Sequence, residues 1–144
     1  MPSSVDVAMK AVEFVDVPFV YQGRSRNGTD CVGLPAQVLQ SLGIRVRDYT
    51  GYPRRFSDID FLLGFVEEHA KKVHDGTGGY IVVNPGQLLV FHIRGILPHL
   101  GIVDDQEWFI HAYQSVGKVA RTRFALSWQE EVHSVWEWNG VSYV

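Results

Sequence analysis

Cys31 is the single cysteine in 144 residues and stands in the stretch Gly28-Thr29-Asp30-Cys31-Val32-Gly33-Leu34. Gly28 and Asp30 mark the end of a loop, and the residues after Cys31 read as a helix that begins near Asp30, its N-cap. A thiol at that junction meets free backbone amides and the positive end of a helix dipole, which favour the nucleophilic thiolate. With one cysteine, an intrachain disulfide and a four-cysteine metal site are excluded. A lone cysteine is otherwise commonly a small buried hydrophobe, so the chemical reading requires an imidazole that can take the thiol proton.

His99 and His111 flank two consecutive runs of strand-forming residues, Leu100–Val103 and Trp108–Tyr113. A three-residue turn at Asp104-Asp105-Gln106, centred on residue 105, sets the rings directly opposite each other, with Cβ atoms about 4.5–5.5 Å apart. One imidazole then orients the other, completing a set of nucleophile, base and orienter. In that register Leu100, Ile102, Ile110 and Ala112 share one face. His99, Gly101, Phe109 and His111 share the other, where Gly101 leaves room for a substrate chain. A turn of two or four residues shifts the register and breaks the pairing, leaving two unrelated strand histidines. Cys31, His99 and His111 also have the ligand types of a three-coordinate zinc site, although a metal would displace the orienter. His92 alternates as a structural residue, and Arg24, Arg26, Arg54 and Arg55 are either solvated loop charge or forks suited to carboxylates.

The elements that must position these groups follow from patterning. Ser3 and Asp6 form a capping-box start for a helix whose Val5, Ala8, Met9 and Val12 share a face, ending before Pro18. Phe19 to Gly28 reads as a loop, and the second helix stops at Gly43. Ser57 and Asp60 cap a third helix carrying Ile59, Leu62, Leu63, Val66, Ala70 and Val73, with Lys71 and Lys72 at its end and His69 and His74 on its dipole. Asp75-Gly76-Thr77-Gly78-Gly79 breaks it. Strands are then expected at Tyr80–Val83, Gln87–Ile93, Leu100–Val103, Trp108–Tyr113 and Val119–Phe124. Ser127 and Glu130 cap a short helix, and Trp136 to Tyr143 forms a hairpin turning at Asn139-Gly140. Helices first and antiparallel strands second define an α+β fold, one domain over residues 1–144.

Composition limits the functions available. Apolar residues make up 46% of the chain and charged residues 20%, an ordinary globular balance. A net charge of −3 without a basic block leaves no footprint for nucleic acid. Apolar runs such as Tyr80-Ile81-Val82-Val83 are far short of a membrane span. The N-terminus has neither a basic nor a continuous apolar segment, so no secretory signal is read and another carrier is needed for work outside the cytoplasm.

Three ordered motifs resemble one family. Pro18-Phe19-Val20-Tyr21-Gln22-Gly23 followed by Gly28-Thr29-Asp30-Cys31-Val32-Gly33-Leu34 is similar to the opening motif of NlpC-type papain-like cell-wall endopeptidases. Pro85-Gly86-Gln87-Leu88-Leu89-Val90-Phe91 resembles their Gly-Asp-Leu strand, and His99-Leu100-Gly101-Ile102-Val103 with Phe109-Ile110-His111-Ala112 resembles their catalytic-histidine strands. The resemblance implies a papain-like fold, N-terminal helices packed on a C-terminal antiparallel sheet. It makes Cys31 the nucleophile, His99 its base and later acid, and His111 the orienter, with no cofactor. The substrate it implies is an amide of the peptidoglycan stem peptide, typically the γ-D-glutamyl–diamino-acid bond, with Asp30, Phe19 and Arg24 as binding candidates. The Arg24–Leu34 segment is most similar to the branch found in bacteriophage tails, which implies tail or baseplate partners and action at the bacterial wall. Four departures stand out: Phe19 for tyrosine, Val32 for serine, Gln87 for aspartate, and Pro35, which distorts the first helical turn or delays the helix. Gln87 alters a structural hydrogen bond rather than the chemistry, and the changes at Phe19, Val32 and Pro35 keep open a tail component that retains the fold without activity. A thiol acyltransferase on the same scaffold would need an extended apolar groove.

Overall fold

The computed structural model describes residues 1–48, 50–54, 58–76 and 80–143. The expected cap at Ser57, the carboxylate candidate Arg55 and the breakers Thr77, Gly78 and Gly79 lie outside the described residues. Three helices precede the main sheet: α1 (Ser4–Val12), α2 (Gly33–Ser41) and α3 (Ile59–His69), with a two-stranded hairpin of β1 (Arg24–Ser25) and β2 (Gly28–Thr29) between the first two. The sheet strands are β3 (Ala70–His74), β4 (Leu88–Ile93), β5 (Leu97–Asp105), β6 (Trp108–Tyr113), β7 (Lys118–Arg123) and β8 (Val132–Trp138), with the short α4 (Leu126–Gln129) before β8. Their order is β3-β8-β4-β5-β6-β7, antiparallel throughout.

Strand alternation divides the buried residues between two cores. Leu88, Val90, Leu100, Ile102, Ile110, Ala112 and Val119 face the helices and pack with Val7, Ala11, Leu34, Val38, Leu62 and Phe65. Leu89, Phe91, Val103, Phe109 and Val135 face the other way, against Ile81, Val83, Phe124 and Trp128. Among the described residues no helix is long and apolar enough to cross a membrane.

The helix caps behave largely as patterning requires. Ser3 and Asp6 close a reciprocal capping box, and α2 ends in a Schellman motif. There Ile44 N–H reaches Leu39 O and Gly43 N–H reaches Gln40 O, with Gly43 at φ +81°. Pro35 is the third residue of α2, where no intrahelical partner for an N–H is needed, so the helix starts later than Cys31. Asp58 is the observed cap of α3, accepting from Asp60 N–H.

Five expectations are corrected. The buried face of α1 is Ser4, Val7, Ala8 and Ala11; Val5 and Met9 are 52% and 63% exposed. The small alanines let that face approach the sheet more closely than the Val5–Met9 face could. The third helix stops at His69, whose ring bonds Phe65 O, because Ala70–His74 pairs with β8 and gains ladder partners there. Tyr80–Val83 shows the strand alternation, with Ile81 and Val83 buried, but is irregular. The C-terminal hairpin is absent: Trp136–Trp138 belongs to β8, and beyond the Asn139-Gly140 turn Ser142 bonds Pro2 and Ser4. Finally, α4 is preceded by Ala125 without a side-chain cap, so Ser127 does not cap it.

Candidate active site

The cysteine sits in a turn that Asp30 organises. Asp30 Oδ1 accepts from Val32 N–H at 3.2 Å and Gly33 N–H at 2.8 Å, and the Asp30 carbonyl accepts from Leu34 N–H. Those are the first amides of α2, so the helix mouth expected to face the thiol is filled by Asp30. Asp30 Oδ2 accepts from Gln22 N–H at 2.8 Å and from the Tyr52 hydroxyl. Arg24 closes the cluster, its guanidinium reaching Asp30 at 3.0 Å, Asp48 at 2.8 Å and the Tyr52 oxygen at 2.9 Å.

Asp30 is 3% exposed with both oxygens engaged, so its observed role is the structural one. Arg24 likewise spends its donors inside the protein and does not line the cavity below. Burial and the Asp30 acceptor push the Tyr52 phenol up, which keeps it a donor. Neither Tyr52 nor Asp48 was legible as a site residue, because each reaches the cluster from a separate loop.

Gly33 allows the turn to lie against the hairpin. A Cβ there would stand 2.5 Å from Gly23 O and Thr29 Oγ1 and 2.7 Å from Arg24 Nη1. Gly33→Ala is expected to destabilise the fold by about 1–3 kcal/mol through overpacking. A urea titration checks this; an unchanged midpoint would mean that the hairpin yields freely.

The histidines meet, but not as a directly opposed pair. The β5–β6 register runs Ile102↔Ile110 and Val103↔Phe109, with a bulge between Val103 and Asp105. The pairing is thus shifted two places from the expected one, and an even shift preserves the face of every side chain. Extended past Ile102, this register sets His111 opposite Gly101 and diagonal to His99. The rings bridge that diagonal, His99 Nε2 lying 2.8 Å from His111 Nδ1. Gly101 makes room for the Phe109 ring, not for substrate: a Cβ would lie 2.8 Å from Phe109 Cδ2.

The β5–β6 pairing runs as far as Ile102↔Ile110, and the strands continue to Leu97 and Tyr113. A cavity of about 180 Å³ opens at this end, lined by Cys31, His99, Phe19, Tyr21, Arg54 and Tyr113 among others. Nucleophile and base candidates therefore share one cavity. Of the binding candidates, Phe19 and Asp30 line it and Arg24 does not. Arg54 lines it with its guanidinium 4.9 Å from the Tyr21 ring centre.

Burial governs the electrostatics. Desolvation, then the neighbouring Asp30 carboxylate, pushes the Cys31 thiol up to about 12, against the lowering pull of Leu100 N–H and Arg24. The expectation of a favoured thiolate is thereby reversed. Burial and the facing His111 hold His99 well below the ordinary histidine value, and burial brings His111 to about 4. Both shifts run against charge separation, favouring a thiol beside a neutral imidazole. Phe91, Phe109, Tyr113 and Trp128 surround the two rings, with centroids 4.5–6.4 Å away. Trp128 thus packs on the candidate site.

The lowered histidines set a stability prediction. Below about pH 6.5 the unfolded chain binds protons that the folded rings refuse, so stability falls as pH drops from there toward about 4. His111→Gln should flatten that loss in pH-dependent urea titrations. An equally steep loss in the variant would show that another group carries it.

A model of the NlpC/P60 family matches residues 16–137. Among solved structures, an NlpC/P60 family protein from Bacillus cereus aligns with 93% of this chain and 39% of its own, at 20% identity and a TM-score of 0.66. NlpC2 from Trichomonas vaginalis aligns over 94% and 47%, at 17% identity and a TM-score of 0.66. The NlpC/p60 domain of the peptidoglycan hydrolase SagA aligns over 92% and 97%, at 22% identity and a TM-score of 0.62. The chain spans less than half the length of the first two and nearly all of the third. At these identities the likeness is one of fold, and the α+β architecture is the one these structures share. No curated protein sequence matches the chain significantly.

Proposed function

The chain belongs to the NlpC/P60 family, and from that premise we propose that it is a cysteine endopeptidase acting on an amide bond of the peptidoglycan stem peptide. The observation that carries the proposal is the hydrogen-bonded His99–His111 pair beside a cavity that His99 shares with Cys31. With His99 Nε2 engaged by His111, Nδ1 is the ring nitrogen left to serve the sulfur. As Cys31 Sγ adds to the substrate carbonyl, its proton passes to His99 Nδ1 and the carbonyl becomes an oxyanion. The Cys31 N–H is the candidate donor to that oxyanion, a contact typically worth about 2.7–4 kcal/mol. Collapse expels the amine, which leaves with the proton from His99. Water then attacks the thioester, gives a proton to His99 and frees the acid, and the proton returns to sulfur.

The SagA domain belongs to a peptidoglycan hydrolase, which supports the substrate class. Arg54 at the cavity wall suits a stem-peptide carboxylate, and the engaged Asp30 offers no free anion for a substrate amine. The phage-tail placement rests on the resemblance of Arg24–Leu34; the exposed row Val5, Met9 and Val12 on α1 supplies an apolar surface for tail or baseplate partners. The departures at Phe19, Val32 and Pro35 support a second reading, a fold kept for docking in a tail without activity. Incubation with purified muropeptides, beside Cys31→Ala, separates them: cleavage lost in the variant supports the enzyme, while no turnover with tight binding to tail proteins supports the docking role.

A further inference from the structure

We propose that Thr122 is a positioning residue that sets, through His111, which nitrogen of His99 carries the proton. His111 Nε2 lies 2.8 Å from Thr122 Oγ1, and His111 Nδ1 lies 2.8 Å from His99 Nε2. The three side chains form a diagonal row across adjacent strands. Thr122 on β7 is paired with Phe109, and His111 with Ala120, so threonine and histidine share a face two places apart. The inference rests on the cysteine-hydrolase reading of the same site.

The argument is one of tautomers. A neutral imidazole has one N–H and one acceptor nitrogen. For His99 to receive the thiol proton at Nδ1, its own N–H must be at Nε2, donating to His111 Nδ1. His111 must then carry its N–H at Nε2, and that N–H needs an acceptor. Thr122 Oγ1 is the partner in place. Of the aromatic rings around the pair, Phe91, Phe109 and Trp128 have no acceptor to replace it, and the hydroxyl of Tyr113, whose ring stacks on His111, is not hydrogen-bonded to it.

In the opposite tautomer His111 Nδ1–H donates to His99 Nε2, and His99 Nδ1 carries a hydrogen toward the sulfur, where it cannot act as a base. A valine at 122 removes the acceptor and favours that blocked form. Thr122 does not line the cavity, so substrate binding should not change.

The test combines 15N NMR of histidine-labelled protein with muropeptide kinetics on wild type, Thr122→Val and Thr122→Ser. Wild type should show His99 protonated at Nε2, and Thr122→Val should move that population to Nδ1. The kcat of Thr122→Val should fall about 10–100-fold, by analogy with the scale for partners that orient a metal-bound imidazole, with KM unchanged. Thr122→Ser should restore both the shifts and kcat to within about threefold, because it keeps the acceptor oxygen. Wild-type shifts with His99 Nδ1–H predominant, Thr122→Val shifts like wild type, or Thr122→Ser as slow as Thr122→Val would each overturn the proposal. Absence of turnover by the wild type would instead count against the hydrolase reading, and the nitrogen shifts would still decide the part played by Thr122.

Discussion

Cys31→Ala should lower stem-peptide cleavage by about 10⁴-fold or more, the scale seen when a covalent nucleophile is deleted from a coupled set. Ser115 and the tyrosine hydroxyls at the cavity wall are not hydrogen-bonded to either histidine, so none inherits the role. The fold should persist, because Asp30, not Cys31, holds the turn. Muropeptide cleavage followed by chromatography, with thermal melting of both proteins, checks the pair of expectations. Undiminished cleavage in a folded Cys31→Ala protein would remove the sulfur from the chemistry.

The pH dependence of that same activity distinguishes two kinds of cysteine enzyme. A preformed thiolate–imidazolium pair loses activity as the imidazolium deprotonates. Here the thiol is pushed up to about 12 and His99 is held well below 6.5, so the active form is thiol with neutral imidazole. Activity should fall on the acid side as the histidine pair takes up a proton and hold a plateau from near neutrality into the alkaline range. The apparent values belong to the coupled groups, not to single residues. The charged groups bearing on Cys31 are Asp30 and Arg24, while His99 is faced by His111 and uncharged rings. A narrow maximum below neutral pH would contradict the neutral pair.

How far these residues could be read from sequence follows from the range of the interactions. Trp108–Tyr113 is a strand with the expected bounds because its alternation is local and turns bound it. The face shared by His99 and His111 was legible because parity survives an even register shift. The shift itself was not, since it arises from a bulge between Val103 and Asp105. Ala70–His74 continues a helical pattern and becomes a strand only because β8, some sixty residues later, pairs with it. Thr122, Tyr52 and Asp48 belong to no motif: each reaches the site through tertiary placement alone. Asp30 was legible as a cap, but the helix it caps begins two residues after the cysteine, and the burial of the thiol, followed by the Asp30 charge, opposes the thiolate expected from sequence.

Asp30→Ala should cost about 3–5 kcal/mol of stability, the range for removing one partner of a buried ion pair. Five donors converge on this carboxylate: the Val32 and Gly33 amides, the Gln22 amide, the Tyr52 hydroxyl and Arg24. Alanine leaves all five unsatisfied by it, and only Arg24 keeps a carboxylate, Asp48. If the uncompensated guanidinium dominates the loss, Arg24→Met in the same chain should recover part of it, a coupling that a double-mutant cycle in urea measures. The same substitution acts on the thiol in the opposite sense. Asp30 is the second cause, after burial, of the raised Cys31 value, so its removal should lower that value and speed iodoacetamide alkylation at a fixed pH near 9. Asp30→Asn tests the sign with less structural loss, because its carbonyl oxygen can still accept the two helix amides while the charge is gone. Faster alkylation in a less stable protein would mean that the acidic residue before the cysteine holds the turn together and restrains the thiol as a consequence. Unchanged stability and unchanged alkylation in both variants would defeat that account, and would return Asp30 to the role of a charge aimed at substrate.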